Sequence, residues 1–366
     1  MIIIVIVVVL VASNAGTNQS SPIKIGVLYP LTGDAVSWGD PIRNGAVLAL
    51  KELNDSGGIG NRQVQAIYED SKCDPQTGVS AVQKLINIDH VRFIIGDVCS
   101  PVVVPVAPIA EANKVVVLAQ GSSPDITNLG DYIFRNWPSD AYQGKVVADY
   151  VFGDLGLKKA ALLVENQAYA TGLADAFSSN FTHDGGQVTE TEYYKTGDKD
   201  YRTQLSKIKA QKPDAIYIAV STDFGLIAKQ IRELKIDAQI IGADGLGSQQ
   251  SLSDAQGSLE GAYYGFPAFD EKSQIVIDFQ NKYQAMFGTT SPFVNVSAHG
   301  YDAVNIMAIA LRSCLPDLDT GCVKDKLYSI KDFPGVSGNT TFDKNGDVQK
   351  PYSIYKIVGN KPVVVK

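Results

Sequence analysis

Residues 93–123, FIIGDVCSPVVVPVAPIAEANKVVVLAQGSS, leave few folds open. Two short apolar runs, 93–96 and 115–118, read as strands buried on both faces, the pattern of a parallel sheet. Each is followed by a loop of small residues, 97–100 and 119–123. Residues 101–113 between them have the length of a crossover helix. It opens on proline, which is tolerated at a first helical position because its missing N–H is unpaired there anyway. In an open α/β sheet, ligands sit in the crevice beyond the carboxyl ends of the strands. Both serine-bearing loops fall there, so the stretch predicts two walls of a small-molecule site.

The surrounding chain repeats this unit. Strands are expected at 23–29, 64–69 and 132–135 as well, with helices over 39–54 and 77–87, and 136–140 (NWPSD) reads as a crossing. The pattern then restarts. Strands at 159–164, 187–193, 215–220 and 239–242 alternate with helices over 142–152, 172–183, 201–209 and 224–234. Two such runs in 366 residues predict an α/β protein of two doubly wound lobes. A second crossing is expected at 265–269, then helices over 274–287, 298–313 and 323–330, a hairpin-like turn at 340–347 and a last strand at 352–358. If that strand returns to the second lobe, three crossings form a hinge, a layout suited to closing on a ligand. The expected division is 22–137 and 267–340 for the first lobe, and 138–266 and 341–366 for the second.

Residues 1–11 are all apolar and are followed by Ala12, Ser13 and Ala15. Eleven apolar residues are too few to span a bilayer but suit the core of a signal peptide, here 1–16, although a basic leader is missing. The expected location is therefore outside the cytoplasm, in the periplasm or on the outer face of the cytoplasmic membrane. In an exported chain four cysteines favour disulfides. Cys314 and Cys322 flank a short loop and are expected to pair, which leaves Cys73 with Cys99. With three histidines and no CxxC, a zinc site is not expected, nor any other metal or cofactor. The net charge of −7, with no basic stripe, argues against nucleic acid as a partner.

Three loops at strand ends carry the candidate chemistry. Those holding Ser100, Gly121, Ser122 and Ser123 offer hydroxyls and backbone N–H groups to a carboxylate, with helix N-termini behind Ser100 and Ser123 adding favourable dipoles. The loop at 243–248 offers Asp244 to an ammonium group. Donors on one lobe and an acid on the other would let a zwitterion bridge the two. The same serines suit helix caps, a role compatible with binding. Trp38 and Tyr169 read as loop residues after strands, one per lobe, able to line an apolar pocket or to anchor their loops. Ser221 follows a strand and faces the cleft on this reading, and Asp223 reads as a helix N-cap. No GxSxG, HExxH or phosphate-loop motif occurs. Ser100 has no histidine partner in view: His90 precedes the strand at 93–96, at the far end from the site, and His299 reads as starting or capping a helix. An enzyme using Ser100 as nucleophile is the weakest of the readings considered.

The motifs IKIGVLYPLTGDAVSWGDPIRNGAVLALKELNDSGGIGNRQV, YEDSKCDP, IIGDVCS, LAQGSSPDIT, ENQAYATGL, IIGADGLG and FDKNGDV together resemble the solute-binding proteins of branched-chain amino-acid ABC transporters, which have a type I periplasmic-binding fold. The resemblance covers essentially the whole chain after residue 16. It implies that Cys73 and Cys99 form the family's disulfide. It also implies that Ser100 and Ser123 hold a ligand α-carboxylate, and that the Gly121 carbonyl and Asp244 hold the α-ammonium. Trp38 and Tyr169 fall at aromatic wall positions and Ser122 at a backbone lining position. The chain departs from the pattern in carrying Asp244 where Glu is commoner, Ser221 near a position that is Tyr in some members, and the extra pair Cys314–Cys322; the surroundings of Phe293, another pocket candidate, also diverge. The implied protein is a monomeric binder of an amino acid, branched or apolar, that delivers it to an ABC permease in the membrane. A sensing module of the same fold, and a binder of an amide or small carboxylate, are the alternatives.

Overall fold

A computed structural model of the chain describes residues 21–366; the expected signal peptide lies outside them. The chain begins β1 (Ile23–Tyr29), α1 (Val36–Asp55), β2 (Val64–Asp70), α2 (Pro75–Asn87), β3 (Phe93–Ile95), α3 (Ser100–Ala112), β4 (Val116–Ala119) and β5 (Ile133–Arg135). These strands form one all-parallel sheet in the order β2-β1-β3-β4-β5. Every residue of β3, β4 and β5 is buried, as strands covered by helices on both faces must be.

The chain continues through α4 (Asp140–Asp149), β6 (Lys159–Glu165), α5 (Ala168–His183), β7 (Gln187–Tyr194), α6 (Arg202–Ala210), β8 (Ala215–Ala219), α7 (Phe224–Glu233), β9 (Gln239–Gly242), α8 (Gln249–Ala255) and β10 (Tyr263–Pro267). Helices α9 (Gln274–Phe287), α10 (Val294–Ser313) and α11 (Thr320–Tyr328) follow, then β11 (Tyr352–Val358) and β12 (Lys361–Val364). The second sheet has the order β12-β11-β10-β9-β8-β6-β7. It is parallel from β7 to β10 and antiparallel from β10 to β12.

Three passages join the two sheets. The first follows β5. The second follows β10, because α10 packs against α1 of the first lobe. That contact is close enough to demand glycine on both helices: a Cβ on Gly45 would lie 1.9 Å from the Ser297 carbonyl oxygen, and one on Gly300 would lie 2.0 Å from that of Ile42. The third passage comes after Lys350, later than the expected return at 341. Residues 341–350 stay with the first sheet because buried Arg135 grips Asp347, with Nε 2.6 Å from Oδ1 and Nη2 2.8 Å from Oδ2. The Arg135 N–H also donates to the Gly346 carbonyl. The second and third passages run together, with the Ala268 N–H 2.7 Å from the Pro351 oxygen.

Strand and helix positions otherwise follow the sequence reading, with informative exceptions. Of the expected crossing at 265–269, residues 265–267 instead end β10, which pairs with β9 and β11, and the passage starts at Ala268. Helix α8 is not among the expected elements, and 352–358 is not the last strand, because β12 follows it and pairs with it antiparallel. Asp223 stands at the start of α7 but in a left-handed conformation, φ 62°, and makes no capping bond. Its carboxylate instead pairs with Lys199 at 2.9 Å and accepts from the Tyr201 hydroxyl. His299 neither starts nor caps a helix: α10 begins five residues earlier, and the ring is buried with Nδ1 against the Asn295 carbonyl. Both expected disulfides form, Cys73–Cys99 and Cys314–Cys322. Among the described residues no helix is long and apolar enough to cross a membrane.

Candidate functional site

The loops after β1, β2, β3 and β4 meet those after β6, β8 and β9 around one cavity, at the carboxyl ends of both sheets. Six of the expected residues line it: Trp38, Ser100, Ser122, Tyr169, Ser221 and Asp244.

On the first wall, Asp97 Oδ1 accepts the Cys99 N–H at 2.8 Å and shapes the turn into α3. Ser100 is the first residue of that helix and is buried. Its Oγ accepts two backbone N–H groups, from Ser122 at 3.1 Å and Ser123 at 3.0 Å. With both lone pairs engaged, its own proton is free to be donated into the cavity. Gln120 is locked between the Tyr29 hydroxyl and the Asn136 amide, each at 2.9 Å. The Cys73–Cys99 bridge forms part of this wall.

Trp38 and Tyr169 are not loop residues. Each sits in the first turn of a helix, α1 and α5. The Trp38 ring packs on Phe293 (centroids 5.0 Å apart) and edge-on to Trp137 (6.1 Å), so an aromatic cluster spans the first passage and the start of α10. Trp137, which the sequence reading left inside a crossing, also lines the cavity.

On the second wall, the Tyr169 hydroxyl donates to Asp244 Oδ1, which also receives the Gly245 N–H at 3.1 Å. Asp244 is buried, and burial raises its pKa to about 6. Burial first, and then the nearby carboxylates of Asp244 and Asp140, hold the Tyr169 phenol well above its ordinary value. Ser221 offers less than expected, since its N–H and its hydroxyl both donate to Glu165 Oε2. Gln167 and Thr222 line this end as well; neither carried a recognisable sequence signal.

Two expected residues do not line the cavity. The Ser123 hydroxyl donates across the cleft to the Ala168 carbonyl at 3.1 Å and accepts the Asp125 N–H at 3.2 Å. Its donor is therefore engaged in tying the lobes together rather than offered to a ligand. Gly121 lies behind the wall, with its N–H on the Asp97 carbonyl at 3.0 Å. A Cβ there would sit 3.3 Å from the Ser100 Cα, so the glycine lets the two loops approach.

A cavity enclosed by two sheets joined through three passages defines a two-lobed binding protein of the type I periplasmic fold. The chain belongs to the periplasmic binding protein family, whose sequence pattern matches residues 22–362. It is 31% identical over 350 residues to the Leu/Ile/Val-binding protein BraC3 of Rhizobium johnstonii, covering 94% of each chain. It is similar in structure to the leucine binding protein LivK of Thermotoga maritima, with TM-score 0.87 and 26% identity over 94% of this chain and 98% of that one. It is also similar to LivJ of Streptococcus pneumoniae, a branched-chain amino acid transporter substrate binding protein solved with isoleucine, with TM-score 0.81 and 28% identity over 94% of this chain and 100% of that one.

Proposed function

We propose that this chain is an exported solute-binding protein of an ABC importer that captures an amino acid, branched-chain or apolar, between its lobes. The observation that carries the reading is the separation of charge preference across the cavity. Ser100 at the N-terminus of α3 presents a hydroxyl donor and a helix dipole on one wall, and buried Asp244 presents an acid on the other. A zwitterion satisfies both only when the lobes are together, so it stabilises the closed form by differential binding. Trp38 and Val98 give the ligand side chain an apolar surface. The Leu/Ile/Val-binding relative and the LivJ complex with isoleucine agree with this chemistry. Ser100 acts here as a binding group and not as a nucleophile: buried His299 lies beyond Trp137, their rings 4.3 Å apart. The partner that receives the solute is an ABC permease, and the protein works as a monomer without nucleic acid.

A second reading rests on Gln167, Ser221 and Thr222, which make one end of the cavity polar. That end favours a smaller or hydrogen-bonding solute, such as an amide or small carboxylate. A thermal-shift screen against the standard amino acids, small amides and small carboxylates separates the two, because a ligand of the native state alone raises the melting temperature. A rise with leucine, isoleucine or valine supports the first reading. A rise confined to amides or non-zwitterionic acids replaces it with the second and removes Asp244 from its ammonium role.

A further inference from the structure

A second cavity, of about 210 Å³, shares Asp244 and no other residue with the first. Its wall is aromatic, and strand register explains why. Tyr264 on β10 stands opposite Tyr355 on β11, so both side chains leave the same face of the sheet and stack, with centroids 5.3 Å apart. Phe266, two residues on, shares that face, and its ring lies edge-on to Tyr355 at 6.2 Å. Phe293, just before α10, stacks on Phe266 at 5.6 Å and carries the aromatic surface across the second passage into the first lobe. All four rings line the cavity.

Beyond the two phenols, the polar side chains here present acceptors. Asp244 takes the hydrogen bonds of Tyr169 and Gly245 on Oδ1, which leaves Oδ2. Glu271, an exposed residue, lines the cavity as well. Asn295 also lines it and is buried; its Nδ2 donates to the Pro267 carbonyl at 3.4 Å, and its Oδ1 has no partner. A buried amide oxygen without a donor is costly and marks a place where a donor is wanted. Aromatic faces beside carboxylates favour a cation, and no lining residue supplies one. A guanidinium suits this setting better than an ammonium. It is flat and weakly hydrated, stacks on rings, and carries five N–H donors that can meet several acceptors at once.

We propose that this second cavity is a binding site for a small guanidinium compound, held against the aromatic wall and by the acceptors of Asp244, Glu271 and Asn295. The site goes beyond the amino-acid reading and does not need it, since a guanidinium has no carboxylate to offer Ser100.

The test uses the purified protein, n-butylguanidinium and its neutral planar counterpart n-butylurea. Calorimetry is expected to show butylguanidinium at a single site and butylurea bound at least about tenfold more weakly, because the shape is kept and the charge removed. Glu271→Gln, at an exposed position, is expected to weaken butylguanidinium about fivefold, the upper range for a charge open to solvent. Ser100→Ala alters the first cavity alone and is expected to leave butylguanidinium affinity unchanged. No butylguanidinium binding, equal affinity for butylurea, or an affinity unmoved by Glu271→Gln overturns the site. A loss of affinity in Ser100→Ala places the cation in the first cavity and overturns it too. The comparison of charged and neutral probes on the wild type decides the point even if a variant does not fold.

Discussion

On the proposed reading, the two walls of the cavity meet opposite charges by unlike means. The first wall has no cationic side chain. It offers a hydroxyl whose lone pairs are held by two N–H groups, at the start of a helix that supplies a partial positive charge. The second wall uses a full charge, Asp244. A carboxylate can be bound by neutral dipoles that stay fixed at every ordinary pH. An ammonium group needs an anion, and a buried anion titrates. The first wall should therefore be insensitive to pH and tolerant of single changes, and the second sensitive to both.

The most damaging change tests the charged wall. Asp244→Ala should weaken amino-acid binding by more than about 100-fold, roughly 3 kcal/mol for losing a buried charge-assisted contact. Calorimetry on a variant with unaltered circular dichroism checks it, and an unchanged affinity ends the assignment. On the neutral wall, Ser100→Ala should cost about tenfold, the usual worth of one hydrogen bond, with no new pH dependence. Acid separates the walls in the native protein. Asp244 holds its charge above about 6, so on lowering the pH from 7 to 5 binding should fall about tenfold in the wild type, whereas Ser100→Ala should show the same relative loss. Stability moves the other way. The folded carboxyl keeps its proton over a window, from 3.8 to about 6, in which the unfolded chain has lost it. Ligand-free stability from this group is therefore present at acid pH and is lost as the pH rises through that window. The melting temperatures of wild type and Asp244→Asn should differ in this pH trend. The smallest effect lies far from both walls: replacing Cys314 and Cys322 by serine opens a short loop, eight residues in sequence separation, and costs about 2.5 kcal/mol of stability with no change in affinity.

Elements decided by local forces are legible in the sequence. β1, β9, α9 and β11 begin and end where their apolar patterns do. Trp38 and Tyr169 were misread as loop residues because their helices start without the usual signals. α1 opens at Val36 after a small-residue loop and holds Pro41, and α5 is capped by Gln167, whose side chain accepts the Tyr169 N–H. β10 looks like a crossing because Gly265 and Pro267 break its pattern, yet antiparallel pairing with β11, Gly265 opposite Ile354 and Pro267 opposite Tyr352, holds it in the sheet. Ser100, Ser122 and Asp244, which line the cavity, are legible as serines and an acid at strand ends. Two facts are not. Ser123 reaches for Ala168, and Asp140 is buried without a partner; each depends on how the lobes meet, which no local pattern encodes.

The Cys73–Cys99 bridge is a stretch of cavity wall as well as a crosslink. A newly made chain carries two thiols at this place, and the loops after β2 and β3 are joined only once those thiols are oxidised. With export as proposed, the oxidising compartment that closes this bridge would complete the fold and a stretch of the cavity wall in one step.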